Sequence, residues 1–205
     1  MMRRRALMLV ATMALALLLA SGVAMAVNKV GTNGPDTLRG THGDDNLVGL
    51  GGNDELFAQR GNDNLLGGPG KDVVTAETER GRSYGGKKNM VGGTGNDFVF
   101  GGKGSDNVVG GRGNDYLIDG YEVNPKKDAI SGGPGNDVFW SWNNPAGKDV
   151  LTCGSGVDRV FADRNDLAAP DCEKVFIGIG SFDESSDAFE AWMESIPESF
   201  WEGLP

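Results

Sequence analysis

The sequence predicts an all-β solenoid, and three observations carry that expectation. A nine-residue segment, Gly92-Gly93-Thr94-Gly95-Asn96-Asp97-Phe98-Val99-Phe100, is followed at once by two variants of itself, starting at Gly101 and Gly110. A short fixed period means stacked copies of one small unit. Extended in both directions, the register gives about fourteen units, and one slot is apolar almost throughout: Leu38, Leu47, Leu56, Leu65, Val74, Met90, Val99, Val108, Leu117, Ile130, Phe139, Leu151 and Val160. Only Ser83 breaks it. A flexible Gly-rich linker needs no apolar residue in a fixed place, whereas each turn of a stacked coil must put one side chain inside. The glycines, 34 in 205 residues, lie in register rather than scattered. Tight turns with positive φ and close backbone approach require that placement.

A second column runs beside the apolar one. The sixth slot holds Asp36, Asp45, Asp54, Asp63 and Asp72, then Asp97, Asp106, Asp115, Asp128, Asp137, Asp149 and Asp158. Two units between 76 and 91 lack it, with Gly81 and Lys88 in the slot. The carbonyls of a Gly turn and an Asp carboxylate are hard oxygen ligands, suited to Ca²⁺. One Asp in one Gly turn commonly caps only its own backbone; twelve in register argue for a shared role. The three residues after each turn suffice for a short strand alternating out, in, out, with the apolar slot inward.

The nonapeptide Gly-Gly-x-Gly-x-Asp-x-apolar-x resembles the haemolysin-type (RTX) calcium-binding repeat. The resemblance implies a parallel β-roll in which two nonapeptides complete one coil. It also implies several Ca²⁺ ions, each held between stacked turns by Asp and backbone oxygens. Counting 76–91 as two units, one row reads Asp36, Asp54, Asp72, Asp106, Asp128, Asp149. The other reads Asp45, Asp63, Asp97, Asp115, Asp137, Asp158. The facing pairs are then 36/54, 54/72, 45/63, 97/115, 115/137, 137/158, 106/128 and 128/149. Carboxylates about 4.8 Å apart repel by roughly 3 to 4 kcal/mol at an effective dielectric near 20. The expectation is a chain largely unfolded without calcium and folded cooperatively by it.

The ends differ from the array. Residues 1–26 read as a secretory signal peptide: Arg3, Arg4 and Arg5, an apolar run from Ala6 to Leu19, and Ala24-Met25-Ala26 as the cleavage site before Val27. The other reading of that run is an uncleaved anchor. Cys153 and Cys172 pair in an exported protein, closing a loop of about 20 residues worth on the order of 3 kcal/mol. Two Cys and the single His42 are too few for a zinc site. The expected organisation is a signal peptide at 1–26 and a roll at 27–161 with an irregular coil at 76–91. An acidic, disulfide-tied cap at 162–180 and a short amphipathic helical tail at 181–205 follow. In the cap, Asp163, Asp166 and Asp171 read as solvated acids, with a last metal site as the alternative. In the tail, Phe189, Trp192, Met193, Ile196 and Phe200 follow helical spacing.

The ninth slot faces solvent. On one sheet it is expected to read Val48, Leu66, Tyr84, Phe100, Ile118, Trp140 and Phe161, an apolar stripe for the tail helix to cover near Phe100, Ile118 and Trp140. On the other it reads Arg39, Phe57, Thr75, Val91, Val109, Ser131 and Thr152. An uncovered stripe of that size would meet a protein partner or a second copy.

Charge and motifs narrow the function. Without residues 1–26, sixteen basic side chains face 29 acidic ones, a net charge of −13. Nucleic-acid phosphates would repel such a chain. It has no H-E-x-x-H, no G-x-S-x-G and one histidine, so no enzyme is expected. The expected function is calcium binding by a secreted β-roll that folds on the ion, in a structural or interaction role. The alternatives are an extracellular adhesin or ligand binder working through the apolar face, and an accessory of a secreted hydrolase. No membrane span is expected once the signal is removed.

Overall fold

The computed structural model describes residues 26–177 apart from 79–81, 83, 121–125, 142 and 144–146. Strands alternate between two parallel eight-stranded sheets. Sheet one holds β1 (Asn28–Val30), β3 (Asn46–Val48), β5 (Asn64–Pro69), β7 (Asn89–Thr94), β9 (Asn107–Arg112), β11 (Ala129–Pro134), β13 (Val150–Ser155) and β15 (Leu167–Ala168). Sheet two holds β2 (Thr37–Arg39), β4 (Glu55–Phe57), β6 (Val73–Thr75), β8 (Phe98–Phe100), β10 (Tyr116–Ile118), β12 (Val138–Ser141), β14 (Arg159–Ala162) and β16 (Lys174–Ile177). Each strand pairs in parallel with the strand two along, so two repeats make one coil of a β-solenoid.

The apolar slot builds the core. Leu47, Leu56, Val74, Met90, Val99, Val108, Leu117, Phe139, Leu151 and Val160 are all fully buried between the sheets. A strand of three residues can bury only its middle side chain on one face, so each sheet lends the core one file of side chains along the axis. Stability comes from stacking, because no unit has a second layer of its own.

Glycine lets the turns stack. Gly95 has φ +136°, and a Cβ there would lie 1.6 Å from the Gly70 carbonyl oxygen, one coil below. The next coils repeat the contact: a Cβ on Gly113 would meet Gly95 O at 1.7 Å, and one on Gly135 would meet Gly113 O at 1.6 Å. A second backbone thus occupies the space a side chain would need. The Asn of slot five ties the same turns laterally. Asn114 N–H donates to Asn96 Oδ1 at 2.9 Å, and Asn136 N–H to Asn114 Oδ1 at 2.8 Å.

The irregular coil departs from expectation. Residues 76–91 form one enlarged unit, not two. Between β6 and β8, among the described residues, β7 is the one strand that enters a sheet, and β6 pairs directly with β8. The parity of everything downstream therefore inverts. Slot nine of sheet two reads Arg39, Phe57, Thr75, Phe100, Ile118, Trp140 and Phe161, while Val48, Leu66, Val91 and Val109 lie on sheet one. The apolar stripe is consequently confined to the C-terminal half of sheet two. There Val138, Trp140 and Phe161 pack with Tyr116 and Ile118 on the outer face. The Phe161 ring lies 5.4 Å from that of Trp140 and stacks on Phe176 at 5.1 Å.

Past Phe161 the acidic segment continues the solenoid, adding β15 to sheet one and β16 to sheet two. The disulfide Cys153–Cys172 is formed, with its Cα atoms 5.1 Å apart. The signal peptide, apart from Ala26, and the helical tail lie outside the described residues. Among the described residues there is no helix, and so none long and apolar enough to cross a membrane.

The turn column makes a direct prediction. Gly95→Ala must strain a positive-φ position and displace the neighbouring backbone, a loss of at least about 3 kcal/mol. Gly85→Ala, whose Cβ would have 3.7 Å to its nearest neighbour, is expected to stay within about 0.5 kcal/mol of the parent. Denaturant unfolding in saturating calcium measures both. Equal midpoints for the two variants would contradict the stacking account.

Candidate metal centre

Each slot-six Asp stands where a turn ends and a strand begins, so coil stacking draws these residues into two ladders. Its backbone N–H donates to Oδ1 of the Asp one coil further on. At the entry to sheet two the ladder runs Asp36, Asp54, Asp72, Asp97, Asp115, Asp137, Asp158, with N···Oδ1 distances of 2.7–2.8 Å. Glu173 closes it, accepting from Asp158 N–H at 3.0 Å. At the entry to sheet one, Val27 N–H donates to Asp45 Oδ1 at 2.7 Å and Asp45 N–H to Asp63 Oδ1 at 2.9 Å. Lys88 takes the next place and donates its N–H to Asp106 Oδ1 at 2.6 Å. Asp106, Asp128, Asp149 and Asp166 complete this ladder.

All twelve slot-six residues are therefore in the ladders, and the eight facing pairs are neighbours. The order differs from the expected rows, because Asp72 faces Asp97 rather than leading toward Asp106. That pair went unforeseen because the parity of 76–91 was counted wrongly. Asp166, the alternative metal ligand of the cap, continues the sheet-one ladder, whereas Asp171 lies apart, accepting from Gly154 N–H at 3.0 Å. Asp119 and Asn143 were missed because Asp119 replaces the usual glycine of slot one ahead of an enlarged turn, and Asn143 falls inside another.

The second carboxylate oxygen defines the chemistry. Oδ2 of Asp54, Asp72, Asp97, Asp115, Asp128, Asp137 and Asp158 is buried and meets no donor. A buried, unpartnered anionic oxygen costs several kcal/mol unless a proton or a cation answers it. Slot-one glycines leave room beside these atoms: a Cβ on Gly49 would lie 2.2 Å from Asp54 Oδ2, and one on Gly110 would lie 2.3 Å from Asp115 Oδ2. Burial, and behind it the neighbouring carboxylates, pushes Asp97 and Asp137 up to about 7. Burial likewise pushes Asp115 up to about 6 and Asp128 to about 7. Protons are thus bound where no cation stands. Hard oxygens stacked at coil spacing, buried and short of positive charge, fit Ca²⁺ and not a soft metal.

At Asp63 the chain supplies its own cation. The Lys88 side chain is fully buried, its Nζ 3.2 Å from Asp63 Oδ2. It also donates to the Gly61 carbonyl at 2.6 Å. The ammonium thus touches a slot-six carboxylate oxygen and a turn carbonyl together. Burial raises the Asp63 pKa, and Lys88 works against that rise.

The RTX calcium-binding nonapeptide repeat matches the sequence in four copies, over residues 30–65, 39–74, 89–117 and 125–143. Together the four copies span a little under half of the chain. The gaps between copies fall on the Lys88 coil and on the enlarged turn before Asp128. Neither a curated protein nor a solved structure matches the chain. The reading of its individual residues therefore rests on the RTX repeat and on the ladders.

Two predictions follow from the ladders. Lys88→Met strands the Asp63 carboxylate and should cost about 3 kcal/mol in denaturant unfolding. Lys88→Asp restores the repeat's own residue, so calcium, but not EGTA, should recover most of that loss. One more Ca²⁺ should then bind per chain in a titration, and an unchanged count would refute the substitution of ammonium for metal. The second prediction concerns pH. These carboxylates have folded pKa values raised above the ordinary 3.8. The metal-free fold is therefore favoured below about pH 4 and loses stability as pH rises through about 6 to 7. With calcium the slope reverses, because protons compete with the ion. A far-UV circular dichroism signal in EGTA that is flat from about pH 5 to 8 would show that the ladders are not the controlling charges.

Proposed function

We propose that the chain is an exported calcium-binding β-roll whose folding is driven by the ion. The row of buried, donorless Oδ2 atoms carries this reading. The supply of a lysine at Asp63 Oδ2 supports it, since positive charge is what the site demands. The residues that would hold calcium are Asp36, Asp45, Asp54, Asp63, Asp72, Asp97, Asp106, Asp115, Asp128, Asp137, Asp149 and Asp158, with turn carbonyls beside them. At Asp63, Lys88 takes up part of that role. Bound calcium supplies the two positive charges that facing carboxylates need in order to remain ionised at stacking distance.

Export rests on the leader-like residues 1–26. Cleavage after Ala26 would turn Val27 N–H, 2.7 Å from Asp45 Oδ1, into an α-ammonium. The sheet-one ladder would then begin on a positive charge. The proposed organisation is a roll at 27–161, a disulfide-tied terminal coil at 162–180 and a tail at 181–205. Its role is structural or interactive rather than catalytic. The adhesin reading draws less support, since Trp140 and Phe161 are buried and, among the described residues aligned with them on that face, Phe176 is the large apolar side chain left exposed.

Calcium titration of the secreted form, followed by circular dichroism and size exclusion, tests the proposal. Extracellular modules bind calcium at about 10⁻⁴ to 10⁻³ M, and an expanded chain should compact cooperatively in that range. A chain equally compact in excess EGTA would refute it.

A further inference from the structure

The enlarged turns bring in side chains that the repeat does not have. Asp119 stands in slot one, where most units carry glycine, and it is fully buried. One carboxylate oxygen from each of Asp119, Asp128 and Asp149 lies within 4.8 Å of the other two. Calcium takes its oxygens at about 2.3–2.6 Å, so ligands on opposite sides of one ion stand about 5 Å apart. A single ion can therefore touch all three without moving them.

The neighbours point the same way. Asn143, 3% exposed, donates its amide to Asp119 Oδ2 at 2.6 Å and to Asp149 Oδ2 at 2.9 Å. Its own Oδ1 is buried and meets no donor, and neither does Asp119 Oδ1. A buried amide oxygen without a donor calls for a partner, and a cation beside three carboxylates supplies one. Behind them Ser141 Oγ lies 3.1 Å from Asp166 Oδ2. The repeat's sites offer two side-chain carboxylates and backbone carbonyls. Here a third carboxylate joins them, and a half-turn of the Asn143 amide would put its oxygen where the nitrogen now meets Asp119 and Asp149.

We propose that Asp119 and Asn143 enlarge the ladder pair Asp128/Asp149 into a calcium site with more side-chain ligands than the other repeat sites, and that it fills first. It rests on the reading that the buried carboxylates take cations. Calcium affinity rises with the charge and number of rigidly held ligands, and this site has more of both than any ladder pair. Magnesium is a poor occupant, because it gives up its waters reluctantly.

The test uses the full mature chain. Calcium is titrated against a fluorescent chelator, and bound metal is counted after dialysis at free calcium on the order of 10⁻⁶ M. The parent chain should retain one Ca²⁺ there, with its other sites empty. Asp119→Ala copies Ala58, which is fully buried in the same slot, and should lose the retained ion. Asp119→Asn keeps the shape and should weaken the first binding step about tenfold or more. Asp115→Asn, on the other ladder, should leave that step unchanged. A retained ion in either Asp119 variant overturns the proposal, and retention in Asp119→Asn would mean that Asp119 serves as a neutral hydrogen-bonding acid. A parent chain that binds calcium only at millimolar concentration overturns this inference and leaves the ladder reading standing. A parent chain that binds none refutes both.

Discussion

Unanswered negative charge is the constraint on which this structure turns. Stacking coils at β-sheet spacing gains a continuous core from a unit too small to have one. The same stacking brings each slot-six carboxylate over the next. One oxygen is satisfied within the fold by a backbone N–H, as Asp97 N–H satisfies Asp115 Oδ1. The other is left buried without a donor. Folding and cation binding therefore cannot be separated here: the geometry that closes the core also creates the electrostatic demand. Glycine is the enabling residue, because turns that approach within 1.6 Å of a hypothetical Cβ admit no other side chain.

The chain answers that demand in more than one way. Near the N-terminus, Thr32 replaces the second glycine and donates through its backbone N–H and hydroxyl to Asp36 Oδ2. Thr41 does the same for Asp45. At Asp63 a lysine is used. A tethered ammonium needs no ion from solution, but it lacks the charge and the ligand number of Ca²⁺. Such coils should depend least on free calcium. The donorless oxygens begin with Asp54 and recur to Asp158. Dependence on the ion is thus unevenly distributed along one repetitive fold.

Much of this was legible because period is a strong signal. The inward column, the slot-six column, the solenoid and the disulfide are all properties of residues that recur at fixed spacing or exist in a single pair. The facing pairs within each regular block could be read for the same reason. What failed was the count across 76–91. A solenoid tolerates a loop of any length at a turn, so sixteen residues can be two units or one unit with an excursion. The discriminating clue was Ser83 in the apolar slot. A unit that must bury serine pays the desolvation of a hydroxyl without packing gain, whereas Asn89-Met90-Val91 buries methionine. The slot-five asparagines carried no expectation of their own, although their side chains bridge coils. Asp119 and Asn143 were illegible for a different reason. Asp119 keeps slot one, but nothing in the sequence says which coil the enlarged turns after it and around Asn143 lean against.

The position of the covalent link follows from the same electrostatics. Toward the C-terminal end of the sheet-one ladder, Asp119, Asp128, Asp149, Asp163 and Asp166 are all buried. Asp163 accepts from Gly147 N–H at 3.0 Å and Asn165 N–H at 2.8 Å, and Asp166 from Asp149 N–H at 2.9 Å and Asp163 N–H at 3.0 Å, neutral donors that leave both charges uncompensated. Burial, then the charge of Asp119, raises Asp149, and burial, then Asp163, raises Asp166. This is where repulsion works hardest against closing the last coils. It is also where Cys153 and Cys172 join the penultimate coil to the segment after β15. By removing entropy from the open chain, on the order of 3 kcal/mol for a loop of this length, the disulfide offsets part of that repulsion before any ion arrives. Cys153 occupies slot one, the position that holds glycine beside Asp54 and aspartate beside Asp128. One slot therefore serves as clearance at Gly49, as a buried carboxylate at Asp119 and as the covalent tie at Cys153.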